Sequence, residues 1–174
     1  MGKDKALLEF SPGQTFAGHL VAVYRDYGCD PVILVVNKNL DLSKTGARNC
    51  SVMINNHVER GRAWSLQLGL TAVPEGHACF IHNVDNPYLE KGLLDILVSH
   101  VRHDGLAVPV YNGKGGHPML LGKSVVKYLK NLPSLIDFRK EAGMFRKMEV
   151  PFPDERICWN INTQEEYRQF RVSS

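Results

Sequence analysis

A few short segments of this chain carry side chains able to handle phosphate, metal or a proton. In NVDNPY (83–88), a single carboxylate, Asp85, stands two residues ahead of Pro87, directly behind an apolar run. A carboxylate so placed can hold Mg2+ against substrate phosphates, because Mg2+ takes one or two carboxylates and keeps its waters. It can equally cap the next helix, since Asp or Asn near Pro is ordinary turn chemistry. In NGKGGHPMLLG (112–122), Gly113, Gly115 and Gly116 allow backbone to approach a ligand closely, and His117 could donate to a phosphate or a polar ring. A plain hairpin turn with an exposed His reads the same way.

In NNHVERGRAWSLQLGL (55–70), Gly61 and Ser65 stand where a helix N-terminus would aim amides at an anion, or where Ser65 would act as an N-cap. The opening MGKDK puts Lys3 and Lys5 just past Gly2. Lys5 could neutralise phosphate charge as a point cation, or could be a solvated lysine.

These residues need a frame, and the apolar periodicity supplies one. Helical spacing runs over 14–28, 64–73, 89–101, 123–132 and 134–142. Continuous β-branched or alternating runs mark strands at 31–37, 50–55, 78–85, 106–111, 145–150 and 156–162. Pro109 predicts that the 106–111 strand is an edge or irregular one. Thr163 and Glu166 form a capping box that opens a last helix. Strands alternating with helices predict an α/β fold with a mostly parallel, Rossmann-like sheet in three layers. Ligands in such sheets sit beyond the carboxyl ends of the strands. That singles out Asn37, Asn55, Asp85, the 112–118 loop and Asn160 to Asn162.

Composition narrows the function classes. The 174 residues suit one domain, 1–174, with 21 basic and 18 acidic side chains and a net charge of +3. That balance, without a basic block, makes no nucleic-acid footprint. No apolar stretch approaches the roughly 20 residues of a membrane span, and no signal pattern opens the chain, so a cytoplasmic protein is expected. Cys29, Cys50, Cys79 and Cys158 form no CxxC pair and read as small core residues in a reducing compartment.

Taken together and in order, the segments resemble the molybdenum-cofactor nucleotidyltransferases, the cytidylyl- and guanylyltransferases of the nucleotide-diphospho-sugar transferase fold. The matches are Met1-Gly2-x-Asp4-Lys5, Asn55 with Gly61, Ser65-Leu66-x-x-Gly69-Leu70, Asp85-x-Pro87, Gly116-His117-Pro118 and Asn160-x-Asn162-Thr163. GHPMLLG with VDNP looks most like the cytidylyl branch. The resemblance implies that an acceptor phosphate attacks the α-phosphorus of CTP or GTP and displaces pyrophosphate, with molybdopterin as acceptor and Mg2+ as cofactor. It implies Lys5 and Asp85 as catalytic residues; Gly2, Lys3, Lys5, Asn55, Gly61 and Ser65 toward the nucleotide; Gly115, Gly116 and His117 toward the acceptor; and Asp85 with Asn160 or Asn162 on the metal.

In the family a strand and a Leu-Ala-Ala-Gly-x-Ser-x-Arg loop stand before the residue that matches Met1, so the expectation is that this sequence starts inside a longer reading frame. Without that strand, two strand edges would stand open. Val84 stands where the family has Gly before the metal Asp, leaving less room for phosphate, and Gln164 where it has Pro. The closing positions are Asn rather than carboxylate, leaving one formal negative charge for a metal. Two other readings use the same residues: a non-catalytic nucleotide- or cofactor-binding relative, and a nucleotidyltransferase for another phosphorylated acceptor such as a sugar phosphate.

Overall fold

A computed structural model describes residues 4–135 and 137–173. Gly2 and Lys3, expected at the nucleotide, lie outside the described residues. In chain order the elements are β1 (Glu9–Ser11), β2 (Gln14–Thr15), α1 (Phe16–Tyr27), β3 (Ile33–Asn37), β4 (Ser51–Asn55), α2 (Gly61–Thr71), β5 (Cys79–Ile81), α3 (Lys91–His100), β6 (Gly105–Tyr111), β7 (Lys114–Gly115), β8 (Met119–Leu121), α4 (Lys123–Lys130), α5 (Phe138–Ala142), β9 (Arg146–Pro151) and α6 (Gln164–Ser173). Short 3-10 turns lie at Lys5–Leu7, Leu42–Lys44, Val58–Arg60 and Glu155–Cys158.

The α/β alternation stands. The two longest ladders, β3 with β4 over five residue pairs and β6 with β9 over six, are parallel. The antiparallel ladders are shorter: β5–β8, β6–β8, β6–β7 and the β1–β2 hairpin. Strands β5, β8, β6, β7 and β9 make one sheet, while β3 and β4 make another. No ladder joins the two sheets among the described residues, so β3 and β5 are each hydrogen-bonded on one side only. The apolar layers nevertheless run across: Ile33 packs on the same cluster as Cys79 and Ile81, and Val32 on the same cluster as Phe80 and Val84.

Local chemistry explains where the elements begin and end. Helix α1 starts where the Thr15 hydroxyl accepts the Gly18 N–H and stops at Gly28, whose φ of 97° suits glycine. Its Phe16, Leu20 and Tyr24 recur at i, i+4 and are buried. The expected helix over 14–28 therefore loses its first two residues to β2. Helix α3 turns Leu93, Leu94 and Leu97 fully inward.

Pro109 does not make β6 an edge. The strand pairs with three neighbours and changes partner around the proline, with Leu106 and Ala107 on β8 but Val110 and Tyr111 on β7. A residue without an N–H fits at that changeover.

Three expected elements shrink. The 78–85 run pairs only over Cys79–Ile81, then turns as the Asn86 N–H donates to the Asn83 carbonyl. The 134–142 helix is helical only from Phe138, because Asp137 accepts the amides of Arg139 and Lys140 while Leu135 N–H donates to Gln67 Oε1. The 156–162 strand is absent: Asp154 accepts the Arg156 N–H and winds Glu155–Cys158 into a 3-10 turn. Local capping outran the apolar alternation there. The expected capping box is present, with the Thr163 hydroxyl accepting the Glu166 N–H and Glu166 Oε2 accepting the amides of Asn162 and Thr163.

Candidate functional site

Three chain segments meet at Lys5. Its ammonium donates to Asp85 Oδ2 at 3.0 Å and to Asn162 Oδ1 at 2.5 Å, across 80 and 157 residues of sequence. Lys5 is placed by the 3-10 turn Lys5–Leu7, which Asp4 caps by accepting the Ala6 N–H. Buried Ala6 and Leu8 anchor that turn. Asp85 is placed by the turn after β5, and Asn162 by the stretch entering α6. The two sides join through backbone, the Ile161 N–H donating to the Asp85 carbonyl at 2.7 Å.

The second oxygen of Asp85 is buried and, among the described residues, accepts no hydrogen bond. A buried carboxylate oxygen without a partner is costly unless a ligand or ion satisfies it. Together with Asp85 Oδ2 and Asn162 Oδ1, already converged on a cation, the donor set is hard oxygen of the kind Mg2+ and Mn2+ prefer. Asn160 stands apart, its amide donating to the Cys158 carbonyl at 3.4 Å.

Asn55 and Ser65 are brought together as well. Asn55 is buried at the end of β4, donates from Nδ2 to Ser65 Oγ at 2.8 Å, and accepts the His57 N–H at 2.7 Å. Ser65 thus lies within α2 rather than capping it. Gly61 starts α2 with φ 78°, and a side chain there would meet open space. Beyond the carboxyl ends of β3 and β4 opens a cleft of about 640 Å3, lined among others by Asp4, Asn37, Lys38, Lys44, Asn55 and Asn56. Asp4 and Leu7, which line it, lie in or beside the turn that carries Lys5, so the cleft and the Asp85 oxygens adjoin the same turn.

The 112–118 loop is outward only in its first part: Asn112 to Gly115 are exposed, while Gly116 and Pro118 are buried. Asn112 and Gly113, with φ of 46° and 76°, form a tight turn between β6 and β7. Gly116 is needed because a Cβ there would stand 2.5 Å from the Ile157 carbonyl oxygen. His117 is turned inward: its Nε2 accepts from Asn83 Nδ2 at 3.1 Å, and its backbone N–H donates to the Ile157 carbonyl. Of this trio only Gly115 is exposed. Burial lowers the His117 pKa, while the neighbouring Asp85 charge opposes that shift. Its ring stacks on His82 at 5.9 Å, whose pKa burial lowers to about 3 and whose Nδ1 meets the Tyr24 hydroxyl at 2.9 Å. Val84 packs its branched side chain on the apolar clusters around Leu8 and Leu20.

One residue escaped the sequence reading. Arg62, in the first turn of α2, is exposed, forms no ion pair among the described residues, and lies close enough to His117 to disfavour its protonation. The signal was its place one residue after Gly61. Arg60 is engaged elsewhere, stacked 3.6 Å over Trp64 and donating to Ser134 Oγ.

The profile of the MobA-like NTP transferase domain matches residues 1–150. This chain belongs to that family. It is 25% identical over 142 residues to the molybdenum cofactor cytidylyltransferase of Escherichia coli K12, covering 80% of this chain and 73% of that one. Its fold is similar to Rv0371c of Mycobacterium tuberculosis, with a TM-score of 0.82 at 22% identity over 100% of this chain and 91% of that chain. A manganese complex of Rv0371c has been solved and superposes with a TM-score of 0.78 at 22% identity, over 99% and 94% of the two chains. The 2-C-methyl-D-erythritol 4-phosphate cytidylyltransferase of Thermus thermophilus shares the fold, with a TM-score of 0.73 at 16% identity over 99% and 94%. As a MobA-like protein the chain is a nucleotidyltransferase. The four cysteines are free, and no helix among the described residues is long and apolar enough to cross a membrane.

Proposed function

We propose that this chain, a single domain over residues 1–174, is a cytoplasmic enzyme that transfers CMP or GMP from CTP or GTP to the phosphate of molybdopterin. The observation that carries the reading is the meeting of Lys5, Asp85 and Asn162 beside a cleft at the carboxyl ends of β3 and β4. The cleft would take the nucleoside, with Asn55 in its lining and Ser65 held on the Asn55 amide; Gly61, Gly2 and Lys3 would serve the nucleotide as the resemblance implies. An acceptor phosphate oxygen would form a new bond to the α-phosphorus while the bond to the bridging α–β oxygen breaks and pyrophosphate leaves. The protein supplies position and charge. Lys5 would neutralise the triphosphate oxygens, and Arg62, exposed in the first turn of α2, would add a second cation.

Asp85 and Asn162 would hold Mg2+ or Mn2+, which would supply charge neutralisation and orientation of the phosphates. Support comes from the partnerless Asp85 oxygen and from the manganese complex of the structural relative. We place the acceptor near Gly115 and the outer side of the 112–118 loop, with Gly116 and His117 shaping the loop from within.

The test is pyrophosphate release from the purified chain with each nucleoside triphosphate, Mg2+ or Mn2+, and either molybdopterin or a sugar phosphate. Release with CTP or GTP that requires molybdopterin is expected. Release only with the sugar phosphate would move the acceptor class. No release with any acceptor, from folded protein that still binds nucleotide, would leave a binding module.

A further inference from the structure

Asn86 follows Asp85 and is wholly buried. Its Nδ2 donates to the Ile157 carbonyl at 2.7 Å, and the same carbonyl accepts the His117 N–H at 2.9 Å. A few residues on, the backbone closes a second link as the Ile161 N–H donates to the Asp85 carbonyl. Two adjacent residues, 85 and 86, therefore staple the turn after β5 to the segment that ends in Asn162.

That segment needs stapling. Residues 159–163 belong to no helix or strand, so regular secondary structure does not hold Asn162 opposite Asp85. The staple is braced from behind. Asn83 holds the His117 ring, and Gly116 admits the Ile157 carbonyl where a Cβ would expel it. The amide also faces the buried His82 ring, but among the described residues its aligned hydrogen bond is the one donated to Ile157. A buried polar side chain spending its donor on one remote carbonyl is a spacing device.

We infer that Asn86 is a positioning residue: by holding the Ile157 carbonyl, it sets the separation of the Asp85 and Asn162 oxygens and so their joint grip on a cation. The inference rests on the proposed function in taking that cation to be the divalent ion that accompanies the nucleotide. Groups that orient metal ligands without touching the metal typically change metal affinity by about 10- to 100-fold when removed. Asn86 acts through two other residues, and Asp85 itself is left unaltered by its substitution.

The experiment compares wild type, Asn86→Leu and Gly116→Ala, each as the full chain. Free Mn2+ is titrated by electron paramagnetic resonance in the presence of a non-hydrolysable CTP or GTP analogue. Thermal unfolding, kcat and nucleotide KM are measured beside it. Both variants are expected to fold, to bind Mn2+ about tenfold more weakly or worse, and to lose kcat with nucleotide KM within about twofold of wild type. Gly116→Ala displaces the carbonyl without altering Asn86, so it decides the matter if Asn86→Leu fails to fold. Wild-type Mn2+ affinity in a folded variant, with only the melting temperature lowered or only the acceptor KM raised, overturns the inference and leaves the proposed function standing. A wild type that binds no Mn2+ beside nucleotide overturns both.

Discussion

The five-stranded sheet and the β3–β4 sheet are built to different standards. In the five-stranded sheet, residues 105–109 of β6 are all buried, and α3 and α4 seal its two faces with leucines and valines at or near zero exposure. In the two-stranded sheet, β3 is mostly half-buried, and β4 leaves Val52 at 41% and Ile54 at 50% exposed. Yet the cleft opens off the weaker sheet, while Asp85 hangs from the stronger one. The lesson is a division of labour. On the proposed function, the carboxylate that would hold an ion is tied to the better-packed half, and the surface that would admit a nucleotide is formed by the half with less packing to lose.

This contrast can be broken by measurement. The largest effect is expected at the junction. Lys5→Met should lower turnover by roughly 100- to 1000-fold, the range seen when one transition-state donor is lost. It should also let the nucleotide-free protein bind Mn2+ more tightly, because Asp85 and Asn162 no longer share a built-in cation. Turnover within a few-fold of wild type would remove Lys5 from the chemistry.

Next comes the rigid half. Leu97→Ala, at a position with no exposure, should cost about 2–5 kcal/mol in a denaturant titration. A loss under about 1 kcal/mol would mean that this half is no better packed than the other.

A smaller effect is expected from acid. His82 and His19 have pKa values lowered by burial to about 3 and about 4, and His117 is lowered too. These rings stay neutral in the folded chain while the unfolded chain binds protons below about pH 6.5, so stability should fall as pH drops from there toward 4. Urea midpoints at pH 7.5 and 5 would show it, and His82→Gln should shrink the difference. Equal midpoints in wild type would contradict the burial of these rings.

The smallest effect belongs to the open sheet. Ile54→Thr should shift stability by no more than about 0.5 kcal/mol. A loss like that of Leu97→Ala would show that the exposed face of β4 is covered in solution.

Much of the fold was legible because it depends on local rules. The i, i+4 stripe of α1, the leucine face of α3 and the Thr163–Glu166 box each follow from a few neighbouring residues. The misread segments share one cause. At 134–142 and 156–162, an Asp cap and a remote partner outbid an apolar pattern that by itself reads as helix or strand. Pro109 was half legible: the residue type announced an irregularity, but the number of strands around it is a property of the sheet.

For the site, residue types and a family resemblance pointed to Lys5, Asp85, Asn55, Ser65 and Asn162, and the fold brings Lys5 to Asp85 and Asn162, and Asn55 to Ser65. Sequence alone also determined the α/β alternation, since periodicity is written along the chain. Only tertiary structure decided the rest. It joined Asn162 rather than Asn160 to Lys5, turned Gly116 and His117 inward and put Asn86 on the Ile157 carbonyl. Each of those outcomes is a contact between segments tens of residues apart. A side chain's type limits what it can bond to, but its partner is set by which distant backbone the packed core delivers beside it.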